Sequence, residues 1–192
     1  LGLASVSVDD ELGAFQAFEH LMDLGHRRIG FVTGPPSFAW FSERRKGVVR
    51  ALRRRRVRYA DTVVEVAVDE VTVAAGEQAG RQLLAGANRP TAAFCVNDLL
   101  ALGVLRALRS EGLTAPQHLS LVGYDDLAFA GALSPALTTV RQQPFDIGRL
   151  GATLLLDASV QRHLVLQPEL IVRDSTSPCR PDRPRPRRRR SS

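Results

Sequence analysis

Arg44, Asn97 and Asp125 offer the three chemistries that a polyhydroxylated ligand needs. A carboxylate accepts two hydroxyl protons, a guanidinium donates in a planar fork, and a carboxamide does both. Asn97 and Asp125 each stand where an apolar run stops abruptly. AAFCV ends in Asn97-Asp98, and LSLVGY ends in Asp125-Asp126. Such a run reads as a buried parallel strand that delivers polar side chains to its carboxyl edge, where open α/β sheets bind ligands. Trp40, the sole tryptophan, lies between Phe38 and Phe41. It would either stack on a sugar ring or anchor its loop on the core. Plainer roles exist for the polar residues too. Asp98 reads as the N-cap of the helix that follows and is left outside the site. Asp125 and Asp126 could shape a turn before Leu127, and Arg44 could be a solvated helix charge.

The elements that must position these residues alternate between two periods. Residues 12–22 carry apolar side chains at helical spacing and stop at Gly25, a helix terminator. Strands are predicted over residues 27–34, 62–68, 91–96, 119–124 and 164–173. Helices are predicted over 43–56, 73–84, 99–110 and 145–156. This alternation predicts an α/β fold, a largely parallel sheet with helices on both faces. Arg44, Asn97 and Asp125 should then share one sheet edge. The helix at 145–156 is apolar around most of its circumference, a pattern that calls for cover on several sides.

Composition sets the outer limits. Of 26 basic and 20 acidic residues, seven and one respectively fall in 180–192, so the net charge of +6 belongs to that stretch. The remainder is neutral and has no excess charge with which to attract phosphate. The Arg53–Arg56 run sits at a predicted helix end, where cations complement exposed carbonyls. Residues 179–192 contain only Cys, Arg, Pro, Asp and Ser and are expected to be a disordered tail. Two isolated cysteines form neither a metal site nor a disulfide framework and fit a reducing cytoplasm. Cys95 reads as a small buried hydrophobe. No segment reads as a signal peptide or a membrane anchor. A start at Leu1 suggests that the natural N-terminus lies upstream. Glycine-rich nucleotide loops, a nucleophile elbow and zinc-hydrolase spacing are absent, so no catalytic residue, metal or cofactor is assigned.

Five separated motifs carry a resemblance: GHRRIGFVTGP (25–35), ERRKG (43–47), VNDLLALG (96–103), LSLVGYDD (119–126) and LTTVRQ (137–142). In this order and spacing the chain resembles the sensor domain of LacI/GalR-family bacterial transcription regulators. The resemblance implies one lobe, mainly the second, of a type I periplasmic-binding-protein-like fold over 1–178. It also implies a return passage through the first lobe from Thr138 to about Leu164. The ligand-binding role falls on Arg44 (R-x-x-G), Asn97 (V-N-D) and Asp125 (G-Y-D-D), with Phe38 and Trp40 from the loop after the GHRRI strand. The implied partners are a small-molecule effector of sugar or nucleoside type and a second copy in a homodimer. Operator DNA would be read only through an N-terminal domain outside this sequence, in the cytoplasm and away from membranes. Two other classes stay open: a periplasmic sugar-binding protein of a transporter, which shares the fold, and a small α/β enzyme, which would need a nucleophile-base pair that the sequence does not show.

Overall fold

A computed structural model describes residues 4–35, 37–86, 88–156 and 163–179. Part of the Pro35-Pro36 turn and the arginine-rich stretch from Arg180 onward lie outside them. The elements in order are β1 (Ser5–Val8), α1 (Asp10–Asp23), β2 (Ile29–Thr33), α2 (Ala39–Arg55), the single turn α3 (Tyr59–Thr62), β3 (Val63–Ala67) and α4 (Val73–Leu84). There follow β4 (Ala92–Cys95), α5 (Asp98–Ser110), β5 (Ser120–Asp125), β6 (Thr138–Arg141), α6 (Pro144–Leu156), β7 (His163–Leu166) and β8 (Glu169–Ile171).

Six strands form the main sheet in the order β3-β2-β4-β5-β6-β8, all parallel except β8. The core of β2, β4 and β5 is buried residue by residue. That is why IGFVT, AAFC and SLVGY lack the alternation of a half-exposed strand. α1 packs with α2 and α4 with α5, so helices cover both faces. Glycines set how closely these pairs approach. A Cβ on Gly47 would lie 2.2 Å from the Glu11 carbonyl oxygen, and one on Gly103 would lie 2.3 Å from that of Val73. The glycine of the R-x-x-G motif therefore lets α2 lie directly on α1 and seats Arg44, one turn earlier, over the sheet edge.

Chain order reverses beside β2. The path runs from β2 outward to β3, then returns across β2 to β4 and continues to β5 and β6. A reversal of this kind leaves a crevice between neighbouring strand ends, because the loops on either side depart in opposite directions.

Three expectations are corrected. Residues 138–141 do not leave for another lobe; β6 pairs with β5 inside the main sheet. The chain leaves the sheet only at Gln142. The expected closing strand at 164–173 is two strands separated by Gln167-Pro168, since proline interrupts the ladder. Of these, β7 pairs with β1 in a separate two-stranded parallel sheet and β8 pairs with β6. Cys179, placed at the start of the tail, is tied in by its backbone N–H, which donates to the Leu24 carbonyl at 2.7 Å. The predicted boundaries of α4 and β4 agree with the structure to within one residue. Cys95 is fully buried, and burial pushes its thiol well above the usual range.

Candidate functional site

The carboxyl edge of β2, β4 and β5 opens into a cleft of about 390 Å³ whose lining includes Trp40, Arg44, Asn97, Asp125, Gln142 and Ile147. Four of the five residues singled out in the sequence thus meet at one place. Phe38 does not line it. Its half-exposed ring sits 5.6 Å from that of Trp40, on α2's approach.

Arg44 is not a solvated charge; it is 3% exposed. Its Nε donates to Asp10 Oδ1 at 2.8 Å and one terminal nitrogen donates to the Val96 carbonyl. The other terminal nitrogen stands 3.7 Å from Asp125 Oδ1, and the guanidinium carbon lies 3.6 Å from the centre of the Tyr124 ring. A guanidinium fixed on three sides presents its remaining donors in one direction, as a recognition group requires.

Asn97 rather than Asp98 caps α5. Its Oδ1 accepts from the Leu100 N–H at 2.9 Å. This corrects the expectation that Asp98 is the cap: either side chain can cap, and the fold engages Asp98 elsewhere. Capping commits the amide oxygen of Asn97, a residue of the cleft lining, and leaves the NH2 group as its remaining side-chain donor. Asp98 is fully buried and has different partners, described below.

Asp125 ends β5 with φ of 110° and Asp126 follows with φ of 53°. Backbone in the left-handed region is uncommon for residues with a Cβ, and such strain collects at functional sites. The two carboxylates are sent in different directions. Asp125 receives the Gln142 side-chain amide. Burial pushes its carboxyl up to about 6, against the opposing pull of Arg44 and of the Gln142 hydrogen bond. For Asp126 burial acts upward as well, but hydrogen bonds from Arg173 and Arg141, both at 2.7 Å, outweigh it and hold the carboxyl below the ordinary range.

α2 begins at Ala39, a turn earlier than periodicity indicated, so Trp40 and Phe41 belong to its first turn. Phe41 is the anchor. It is 4% exposed and covers Gly34, where a Cβ would lie 2.3 Å from its ring. Trp40 remains 50% exposed on the cleft wall. Sequence reasoning missed Asp10, Gln142 and Ile147. Gln142 had a signal, the polar end of the LTTVRQ run. Asp10 had none, because its partner Arg44 is 34 residues away. Among the described residues no group of His, Cys, Asp or Glu could hold a metal ion. No helix among them is long and apolar enough to cross a membrane.

A periplasmic-binding-protein-like domain family matches residues 18–176. The chain is 36% identical over 181 residues to the HTH-type transcriptional repressor CytR of Escherichia coli K12, an alignment covering 92% of this chain and 52% of CytR. A LacI family transcriptional regulator from Enterococcus faecium, solved with bound ribose, superposes with a TM-score of 0.86 at 30% identity, covering 92% of this chain and 66% of that one. This chain is a periplasmic-binding-protein-like sensor domain of the LacI family. A dimeric Lac repressor superposes with a TM-score of 0.85 at 30% identity over 93% of this chain and 66% of its own. The LacI-family domain described here spans about half the length of the curated repressor it matches.

Proposed function

We propose that this domain senses a small polyhydroxylated effector, a sugar or nucleoside, for a LacI-type transcription regulator, and that it does not transform its ligand. The convergence of Arg44, Asn97, Asp125 and Trp40 on one cleft at the sheet's reversal point carries the reading. Asp125 would accept from two hydroxyls, and Arg44 and the Asn97 NH2 would donate to ring or hydroxyl oxygens. The exposed face of Trp40 would stack on the apolar side of the ring. Phe38 would brace Trp40 and not touch ligand. The ribose bound to the E. faecium regulator is of this chemical class.

The repressor relatives favour regulation over delivery to a transporter. Operator contact would come from a part of those proteins that this chain does not match, in a cytoplasmic homodimer like the dimeric Lac repressor neighbour. The whole of 1–178 would serve as sensor, mainly as its second lobe.

Calorimetric titration with a panel of pentoses, hexoses and nucleosides tests the reading. At least one panel member should bind, and Asp125→Ala should weaken it by about 2 kcal/mol through loss of charge-assisted hydrogen bonds. No binding across the panel, or unchanged affinity in Asp125→Ala, would overturn it.

A further inference from the structure

Among the described residues, Asp98 is the one fully buried carboxylate at this edge, and the ligand chemistry does not use it. It is fully buried, and capping of α5 has passed to Asn97. Its Oδ2 accepts from the Leu127 N–H at 2.8 Å and its Oδ1 accepts from the Thr139 hydroxyl at 2.6 Å. Thr139 Oγ1 in turn stands 3.4 Å from the Asp126 N–H. A Cβ on Gly123 would lie 2.2 Å from Asp98 Oδ1, so the glycine of G-Y-D-D provides the space that the carboxylate occupies. One side chain therefore gathers four segments: the start of α5, strand β5, the loop after it, and β6. Each supplies or adjoins a cleft residue: Asn97 at the start of α5, Asp125 at the end of β5, Leu127 in the loop, and Gln142 just past β6.

We propose that Asp98 is a positioning residue, whose two oxygens pin the loop after β5 to β6 and so hold Asp125 in its left-handed conformation facing the cleft. The inference rests on the ligand site proposed above. Contributing to stability is a poor explanation for this carboxylate. Burial, followed by the nearby charges of Asp125 and Asp126, pushes it up to about 7 despite its two hydrogen bonds, so keeping it ionised there costs free energy. The charged and titratable groups around it are Cys95 from β4, Asp125 at the end of β5, Asp126 just after it, and Arg141 and Arg173, which bridge to Asp126. None of these donates to Asp98, so the Leu127 amide and the Thr139 hydroxyl are the contacts through which it acts.

Hydrogen exchange compares wild type with Asp98→Asn, which keeps the shape but loses one acceptor, and with Thr139→Val, which removes the hydroxyl donor. In Asp98→Asn, exchange at residues 126–130 should rise about tenfold, the value of a hydrogen bond to a charged acceptor. Thr139→Val should raise it by less, and amides of β2 and β4 should keep their wild-type rates. The carboxyl of Asp125, followed by carbon NMR, should titrate closer to the ordinary carboxylate range once the loop is released and hydrated. Acceleration spread evenly through β2, β4 and β5 would show a core role only and overturn the proposal. An unchanged loop together with an unchanged Asp125 titration would do the same. If Asp98→Asn does not fold, Thr139→Val decides on the same two readouts. The Asp125→Ala titration is independent of these, so a failed ligand site and a failed positioning role give different patterns.

Discussion

The two sides of the cleft are built to different standards. One is the edge of a six-stranded sheet covered by helices on both faces, where Phe31, Phe94, Leu121 and Tyr124 are fully buried. The other is α6 with the β1–β7 pair. No residue of α6 is buried, β1 and β7 bury none of theirs, and Phe145, Leu155 and Leu156 are more than four-fifths exposed. Yet Pro144 and Ile147 of α6 complete the cleft wall. The polar groups Arg44, Asn97 and Asp125, which we propose meet ligand, all sit on the closely packed side. The weakly packed side contributes apolar surface, which tolerates displacement. The two sides are joined at Asp9, Gln142–Gln143 and Gln167–Pro168. The crossings are stitched by Asp9 N–H to the Leu166 carbonyl at 3.0 Å and by Gln143 Nε2 to the Gln167 carbonyl at 3.1 Å.

Matched deletions break or uphold this contrast most sharply. Phe94→Ala should cost about 4 kcal/mol by opening a cavity in the sheet core. Leu155→Ala, a deletion from an exposed face, should cost under about 0.5 kcal/mol. Denaturant melts of the two variants check this, and comparable losses would mean that α6 is covered.

A second effect separates the cleft edge from the rest of the fold by pH. The folded-state values of Asp98 and Asp125, about 7 and about 6, lie above the ordinary 3.8. Between those limits the native state holds more protons than the unfolded chain, so stability falls as pH rises. Asp126 is shifted the other way, and its contribution is lost only as pH falls through the acid range. Burial holds His20 and His26 below the ordinary imidazole value of 6.5, so they act in the opposite sense at lower pH, and the melting temperature should drop most clearly from about pH 6.5 to about pH 8. Asp98→Asn should flatten most of that slope. A melting temperature that rises over the same interval would contradict the burial described for both groups.

The smallest expected effect is association. The 192-residue chain exposes the apolar side chains of α6 to water, and patches of this kind promote self-contact. Sedimentation velocity should show concentration-dependent association, reduced in a Phe145→Glu, Leu155→Glu double variant. A wild-type monomer at all concentrations would show that the exposed face is too small to matter.

Much of this architecture follows from local sequence. Uninterrupted apolar runs specify buried parallel strands, because alternation is lost when both faces are covered, and polar residues at their ends mark the edge where the cleft opens. Gly47 and Arg44, three apart, follow from helix geometry, and Trp40 and Asp125 were legible from their types and places. What the sequence left open depended on partners far along the chain. Local sequence points to Asp98 as the α5 cap, and the fold overturns this by bringing Thr139 and Leu127 to that carboxylate, which leaves the cap to Asn97. Thr138–Arg141 is too short and too mixed to read as a strand until β5 lies beside it. Residues 164–173 read as one strand because their apolar pattern crosses Pro168 without a break, and only the presence of two sheets divides them. Asp10 and Arg44 became a pair only when α1 and α2 packed. Periodicity and strand ends are local properties and so can be read directly. Hydrogen-bond pairing between distant segments is decided by tertiary packing, and it is this pairing that orients the cleft.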